Sequence, residues 1–426
     1  MPQSIENEMV FGQRLWDPAL LSQVAQTCAR SSYRNAEDIS NGLLRRSAAD
    51  LFSFRTLQDT VCREGRRAGR EMEKMAEQEL RMYGFDPETG KTGEGVTLSE
   101  TLTDPKISET DREEMARRML EAMELYNSTT QEPDEQVSWA AYAESIETIP
   151  DSTVVLCVDE VGVHQQKKTR RKDGALRPPE SGFKKDAREG RHYEETTVVY
   201  LRSKEGTYRF AAGSVLKAVL HAFGFMLHWN MLQHRDLMIF SDGANNIKNV
   251  IGDVFSFRPY TLNLDWFHLR KHCYEVLTMA LYGGKPNKER NEEIRYHFDK
   301  RLFAGNTEAA KRYLDALDPS VIRNHGKIDE LKAYLDRKES GIYPYAIRKQ
   351  MGIINSSNQG EKSNDLVVAQ RCKHNGMSWT GCGVNGMRNV NLVILNNEKD
   401  WYETHEMTFC PIPLSEKVKE QYKRTA

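Results

Sequence analysis

The spacing of apolar residues changes near position 151 of this chain. Before that point, from about 10 to 85, apolar residues recur at helical spacing with many arginines between them. After it come short apolar runs of strand length. They lie at 153–158, 197–201, 207–211, 237–241 and 260–264. The pattern predicts helices first and an α/β domain afterwards.

The order of these predicted elements indicates the kind of sheet. The first three runs follow one another without a long helix, which predicts adjacent antiparallel strands. Helices expected at about 214–231 and 245–251 separate the last two runs. Three strands followed by helix, strand, helix, strand is the RNase H-like arrangement, a mixed five-stranded sheet. Helical spacing returns from about 266 to 340 and from 361 to about 396, which predicts a helical insertion and a last helical region.

The arginine-rich N-terminal part contains a pattern typical of a helix-turn-helix. Two short helices are predicted with a tight break just before Ser53, which would cap the second helix. The second helix would present Arg55, Gln58 and Arg63 to DNA. An ordinary helical bundle with solvated arginines is the alternative. The turn-rich stretch at 86–109 then predicts a linker or an exposed loop.

Bulk composition supports a folded core but indicates no partner. The 426 residues are 39% hydrophobic and carry a net charge of −2, so nucleic-acid binding would have to come from local patches. One such patch runs from 167 to 191, where glycine and proline favour an extended loop. Its basic residues expected to contact a phosphate backbone are Lys167, Lys168, Arg170, Arg171 and Lys172. A solvated surface loop is the alternative.

Cysteine use and hydropathy bear on the compartment. The seven cysteines are odd in number and show no C-x-x-C spacing, so we expect free thiols in a reducing compartment, the cytoplasm. The first residues show no secretory signal pattern. The most apolar stretch, 214–231, is interrupted by Lys217, His221 and His228, which favours a buried helix over a membrane span.

Three acidic residues stand at the ends of apolar runs or at the start of a helix: Asp159, Asp242 and Glu361. Each has a structural alternative, because Asp159 and Asp242 could start turns and Glu361 could complete a capping box with Asn358. The helical spacing after Gly243 makes a hairpin at Asp242 unfavourable. As a set in this strand order, the three carboxylates are expected to converge at one edge of the sheet. Such hard oxygen ligands suit Mg²⁺ and two-metal phosphodiester chemistry.

A second group follows the last predicted strand. Asp265 is expected to cap a helix or to take part in the site with His268. His268 and His272 share one helix face and could form a zinc pair, although the glutamate of a metalloprotease motif is absent.

Several blocks together resemble the bacterial insertion-sequence transposases of the Mutator-like DDE group, in particular its ISKra-type branch. The most specific resemblance is Asn358–Val368 followed by Lys373–Trp379, which is similar to the last catalytic block. The shorter blocks that resemble the family are Val158–Glu160, His192–Val198, Ser241–Ala244 and the Asp265-x-x-His268 signature. Two features depart from the family. Glu160 stands where glycine is usual and would add negative charge beside the site, and the N-terminal region has no cysteine-rich zinc element.

The resemblance implies an RNase H-like enzyme, split by a helical insertion, that cleaves transposon ends and transfers the strands into target DNA. Asp159, Asp242 and Glu361 would hold two Mg²⁺ ions, with Mn²⁺ as a substitute. His268 and Trp379 would contact DNA. The implied partners are transposon-end and target DNA and a second copy of the chain, forming a dimer on DNA in the bacterial nucleoid, with no membrane.

The expected organisation has six segments. They are a helical DNA-binding region at 1–100, a helical linker region at 101–148, the first part of the core at 149–268, the helical insertion at 269–352, the last part of the core at 353–405 and a tail at 406–426. Two other functions stay open: an RNase H-like host nuclease such as a junction resolvase, and a domesticated transposase that only binds DNA.

Overall fold

The computed structural model describes a large part of the chain. The ranges are 18–43, 53–105, 109–144, 153–165, 193–373 and 379–396. The basic residues Lys167, Lys168, Arg170, Arg171 and Lys172 lie outside them. The described residues form an α/β structure with one open five-stranded sheet.

The sheet is mixed, and its strands fall on the five predicted apolar runs. The strands are β1 Thr153–His164, β2 Tyr193–Ser203, β3 Gly206–Ala212, β4 Asp236–Ser241 and β5 Thr261–Leu264. Their order across the sheet is β3-β2-β1-β4-β5. β2 and β3 are antiparallel, while β4 is parallel to both β1 and β5. The predicted mixed five-stranded sheet is therefore confirmed.

Along the chain, helices precede, separate and follow the strands. Before the sheet lie α1 Pro18–Arg30, α2 Tyr33–Leu43, α3 Phe54–Met82, α4 Glu100–Thr103, α5 Glu109–Ser128 and α6 Trp139–Glu144. Between strands lie α7 Val215–His228 and α8 Asn245–Val254. After the sheet come α9 Trp266–Ala280, α10 Lys288–Phe303, α11 Thr307–Asp315, α12 His325–Lys338, α13 Tyr345–Gln350, α14 Asn358–Asn364, α15 Gln370–Cys372 and α16 Gly381–Asn396. The helices predicted between the strands and after the sheet are present.

β1 is a central strand that is buried on both faces, which explains its unbroken apolar run. Val154, Leu156 and Val158 pack into the core that includes α7 and α8. Val155 and Cys157 face the other way and pack with Met238 and Phe240 of β4 as well as Tyr200 of β2. Side chains of successive strand residues point to opposite faces, so every second residue of β1 shares a face.

The described part of the turn-rich segment after α3 is largely exposed, as predicted for an exposed loop, but Gly90, Leu102 and Pro105 within it are buried. Leu102 is 4% exposed and belongs to the same core as α7. Just upstream, the buried Phe85 ring lies 4.9 Å from the rings of both Phe223 and Phe257. A Cβ on Gly90 would come within 2.7 Å of Leu220. The turn-forming residues predicted the backbone turns, but they did not predict that apolar side chains such as Leu102 would be buried.

The described chain separates into two compact units, each of which is assembled from segments distant in sequence. One unit comprises 1–73, 162–195 and 366–426, and the other comprises 74–161 and 196–365. The second unit holds most of the sheet and the helices from α4 to α14. Helices α9 to α13 build a core of their own there with the end of β5, as expected for a helical insertion.

The N-terminal helices differ from the predicted pair of short helices. α3 has 29 residues, so the expectation of a short second helix was wrong. Its start is as predicted, because the Ser53 hydroxyl accepts a hydrogen bond from the Thr56 N–H at 3.1 Å. The helix continues because Leu57, Val61 and further apolar positions of one face are buried. The predicted second short helix therefore corresponds to the first turns of α3, which continues to Met82.

Candidate active site

Three aspartates follow matched positions on three neighbouring parallel strands. Val158 pairs with Ser241, and Ser241 pairs with Leu264. The next residues are Asp159, Asp242 and Asp265. Paired residues of parallel strands face the same way on strands about 4.8 Å apart. The register therefore brings the three aspartates into one row, with Asp242 and Asp265 just after the ends of β4 and β5 and Asp159 within β1, which continues to His164.

Asp159 is the most enclosed member of the predicted triad. Its Oδ1 accepts from the Glu160 N–H at 2.8 Å, and its Oδ2 accepts from Asn364 Nδ2 at 2.6 Å. The pKa of Asp159 is raised to about 6, mainly by burial and also by the Asp242 and Glu361 carboxylates, while the Glu160 N–H and His268 act to lower it. The three acids predicted from sequence thus act on one another electrostatically.

Asp242 directly follows β4 and is exposed. Its Oδ1 accepts from the Ala244 N–H at 2.8 Å, and Gly243 has a φ of +83°, a conformation that favours glycine. α8 begins three residues after Asp242, at Asn245. The aspartate therefore starts a strand-to-helix turn, and the hairpin alternative was wrong, as the helical spacing indicated.

Glu361 is brought to the sheet edge by a close contact between α14 and β1. Ser357 occupies the cap position of α14, and its carbonyl accepts from the Glu361 N–H at 2.8 Å. Asn358 makes no capping bond, so the capping-box alternative for Glu361 was wrong. A Cβ on Gly360 would lie 2.9 Å from the Cβ of the fully buried Cys157. Only glycine fits this approach, and it fixes the helix that carries Glu361.

Asp265 is a buried positioning residue. It caps α9 by accepting from the His268 N–H at 2.9 Å, as predicted. Its second oxygen accepts from the Ser357 N–H at the start of α14, a bond that sequence did not indicate. His268 Nε2 lies 3.4 Å from Glu361 Oε1. One carboxylate therefore holds the starts of both helices that carry His268 and Glu361.

The zinc-pair alternative for His268 and His272 is not supported by their surroundings. The His272 ring centroid lies 4.1 Å from that of Tyr334, whereas His268 faces Glu361. Among the described residues, no three His, Cys, Asp or Glu side chains are arranged to hold a metal ion.

The donor chemistry nevertheless suits Mg²⁺, because Asp159, Asp242 and Glu361 all offer hard carboxylate oxygens. Asp242 is exposed and the Glu361 side chain is 37% exposed, so both are accessible. Asp159 is different, since both of its oxygens accept protein hydrogen bonds. An ion bound there would compete with the amide of Asn364 for Oδ2.

Glu160 faces away from Asp159, so the expectation that it adds negative charge beside the site was wrong. Successive strand residues point to opposite faces. Its Oε2 accepts from Asn246 Nδ2 at 2.9 Å, in the first turn of α8. The carboxylate joins β1 to α8 on the other side of the sheet.

The residues predicted to contact DNA in the first compact unit have different surroundings. Arg55 is exposed and Gln58 is half-buried near the start of α3. Arg63 is 2.9 Å from the buried Glu64 carboxylate, which gives it a structural partner. Arg55 and Gln58 are three residues apart and lie on one helix face.

Trp379 has a packing role rather than the exposed position expected for a DNA contact. It is 6% exposed. The Arg371 guanidinium lies 4.8 Å and the Tyr33 ring 5.9 Å from its ring centroid. Its backbone N–H donates to the His164 carbonyl at 2.9 Å. Because Trp379 is buried in this cluster, it has little surface available to DNA, and the expected direct contact with DNA was wrong.

Sequence reasoning missed Asn364 as a partner of Asp159. The available signal was its position three residues after Glu361, which places both on one face of α14. The close contact of Gly360 with Cys157 and the hydrogen bond from Ser357 to Asp265 could not be predicted from neighbouring residues in the sequence.

The chain matches no protein-family model, and none of the curated proteins compared with it is significantly similar. Within the described ranges, none of the helices is long and apolar enough to cross a membrane. The six described cysteines are free thiols.

Proposed function

We propose that this chain is a DNA transposase of the DDE type, which cleaves transposon ends and transfers the strands into target DNA. The observation that supports the proposal is that the Asp242 and Glu361 carboxylates lie near enough to Asp159 to raise its pKa. Asp159 and Asp242 follow the paired residues Val158 of β1 and Ser241 of β4, and Glu361 is carried by α14, which packs on the same face of β1. The strand order and the helices between β5 and α14 favour an RNase H-like core with a helical insertion.

The carboxylates would hold two Mg²⁺ ions, which supply activation of water or a DNA 3′-hydroxyl and stabilisation of the leaving oxygen. Asp159 would be oriented by Asn364, which donates to its Oδ2. Glu361 would be oriented by His268, at 3.4 Å. Asp265 would be a positioning residue, because its carboxylate accepts hydrogen bonds from the first turns of the two helices that carry His268 and Glu361.

Substitution of the three acids tests the proposal. Asp159→Asn, Asp242→Asn and Glu361→Gln are each expected to abolish Mg²⁺-dependent cleavage of the DNA that flanks the gene, because metal ligation needs the carboxylate charge. DNA binding without metal is expected to persist. Asp253→Asn is the matched control, since this carboxylate of α8 is 60% exposed and its ion-pair partner is an exposed lysine, Lys91.

Three outcomes separate the alternatives. Cleavage retained in one variant removes that residue from the site. Cleavage without joining of the cut end to target DNA identifies a host nuclease or resolvase. DNA binding with no cleavage by the wild-type chain in Mg²⁺ or Mn²⁺ identifies a protein that acts only by binding DNA.

A further inference from the structure

A cavity of about 320 Å³ lies directly beside the end of β4. Ser241 and Gly243, the two neighbours of Asp242, line one side of it. The start of α8, strand β5 and the end of α12 with the turn after it line the rest. All of these segments belong to the second compact unit.

The cavity is positively charged. Lys248, Arg337 and Lys338 line it, and its lining contains no carboxylate. Lys338 donates to the Gly243 carbonyl. Burial lowers the pKa of Lys338, and although Asp242 opposes this, the nearby charges of Lys248 and Arg337 lower it further. Three cations that repel one another in this way favour an anionic ligand between them.

A buried amide adds an unused donor to the same wall. Asn263 of β5 is fully buried, and its Oδ1 accepts from Arg348 Nη1 at 2.6 Å. Within the described part of the chain, its Nδ2 has no hydrogen-bond partner. A buried donor without an acceptor is costly, so a ligand oxygen in the cavity would satisfy it.

We propose that this cavity binds one phosphate group of the DNA strand that is cut at the neighbouring carboxylates. The inference rests on the proposed function and adds a second, metal-independent contact to the same strand. A guanidinium, two ammonium groups and an amide donor match the several acceptor oxygens of a phosphate. Because Ser241 and Gly243 flank Asp242, a phosphate held here would fix the strand beside the site of cleavage.

The experiment compares cavity variants with a control variant that removes a lysine outside the cavity. The double variant Lys248→Ala with Arg337→Ala removes two cations, and Asn263→Asp places a negative charge in the cavity while keeping the acceptor for Arg348. Lys332→Ala, on the same helix as Arg337 and paired with Asp315 at 2.7 Å, is the control. Affinity for the flanking DNA is measured in EDTA over a range of salt concentrations, with thermal melting to verify folding.

Loss of one phosphate contact is expected to reduce the slope of log affinity against log salt by about 0.9. Affinity at low salt is expected to fall about tenfold in both cavity variants, as for a lost charge-assisted hydrogen bond. The Lys332→Ala protein is expected to keep the wild-type slope. Folded cavity variants with an unchanged slope and affinity would overturn the inference, while the carboxylate variants would still decide the proposed function separately.

A titration with inorganic phosphate tests whether the cavity binds free phosphate as well as a phosphate group of DNA. Titration of the full chain, followed by ³¹P NMR line broadening, is expected to show weak binding that both cavity variants abolish. Phosphate binding of this kind in a wild-type chain that does not bind DNA would overturn the assignment to a DNA strand. No phosphate binding and no effect of the variants on DNA affinity would overturn the site itself.

Discussion

Asp159 is a carboxylate whose surroundings differ from those of a surface acid. It is enclosed, it faces two other carboxylates, and it depends on the Asn364 amide and the Glu160 N–H for its hydrogen bonds. Its raised pKa follows chiefly from burial. A bound cation would remove this cost by stabilising the charged form, which is why such an acid suits a metal site better than a purely structural one.

Asp159→Asn is expected to stabilise the metal-free protein above about pH 6. The folded-state pKa is about 6, and the unfolded value is about 3.9. The folded protein therefore keeps a proton that the unfolded chain has lost, so stability falls as the pH rises from about 4 to about 6. The neutral amide avoids this loss, a gain on the order of 2 kcal/mol at pH 8 by the same linkage.

Urea unfolding in EDTA at pH 4 and pH 8 measures this difference. The variant is expected to gain at pH 8 and not at pH 4. The new amide can be accommodated because Asn364 Oδ1 is buried without a partner among the described residues and becomes an acceptor if that amide turns over. A variant less stable than wild type at pH 8 would show that the carboxylate is favourable in the folded protein.

At the scale of elements, α14 depends on the absence of a side chain at Gly360. We expect Gly360→Ala to cost about 1–3 kcal/mol, as overpacking of a buried contact does. The added Cβ would meet Cys157, and α14 would have to move away from β1 together with Glu361 and Asn364. Cleavage should therefore fall more than thermal stability alone explains.

Gly42→Ala is the matched control for this substitution. Gly42 lies in α2, and a Cβ there meets nothing within 4 Å. Alanine at such a helical position is expected to be neutral or slightly stabilising. Equal effects of the two substitutions on melting temperature and cleavage would contradict the close-approach argument.

The first turns of α3 carry the predicted base-contacting residues. Arg55→Ala with Gln58→Ala is expected to weaken binding to the element ends more than binding to random DNA, because base contacts specify while phosphate contacts position. Electrophoretic mobility shifts on both DNAs measure the ratio. Arg81→Ala, at the far end of the same helix and 64% exposed, is the control. Equal losses on both DNAs would show that Arg55 and Gln58 contact the phosphate backbone or contribute to packing, and that they do not read the bases.

At the scale of the whole molecule, a net charge of −2 requires DNA affinity to come from local basic groups. Replacing Lys167, Lys168, Arg170, Arg171 and Lys172 with alanine is expected to weaken binding and its salt dependence. If about three of them touch phosphate, the slope should fall by about three units. Fluorescence anisotropy across salt concentrations measures it. If the variant has the melting temperature of the wild type and an unchanged slope of log affinity against log salt, these five residues do not contact DNA.

The sequence by itself determined the features that depend on local spacing. Short apolar runs of strand length predicted the five strands, and the helical spacing after Gly243 predicted α8 in place of a hairpin. The capping chemistry of Ser53 and Asp265 was also predictable, because a cap acts within three residues of its own position. The three acids were identified for the same reason, since each stands at a predicted element boundary.

Only the tertiary structure decided features that join residues distant in the chain. The 29-residue length of α3, the packing under the turn-rich segment and the burial of Trp379 all depend on partners elsewhere. Likewise, Asn364 meets Asp159 across 205 positions and Asp265 meets Ser357 across 92. Local propensity carries no information on such pairs, because they form only when strand register and helix packing bring the two backbones together.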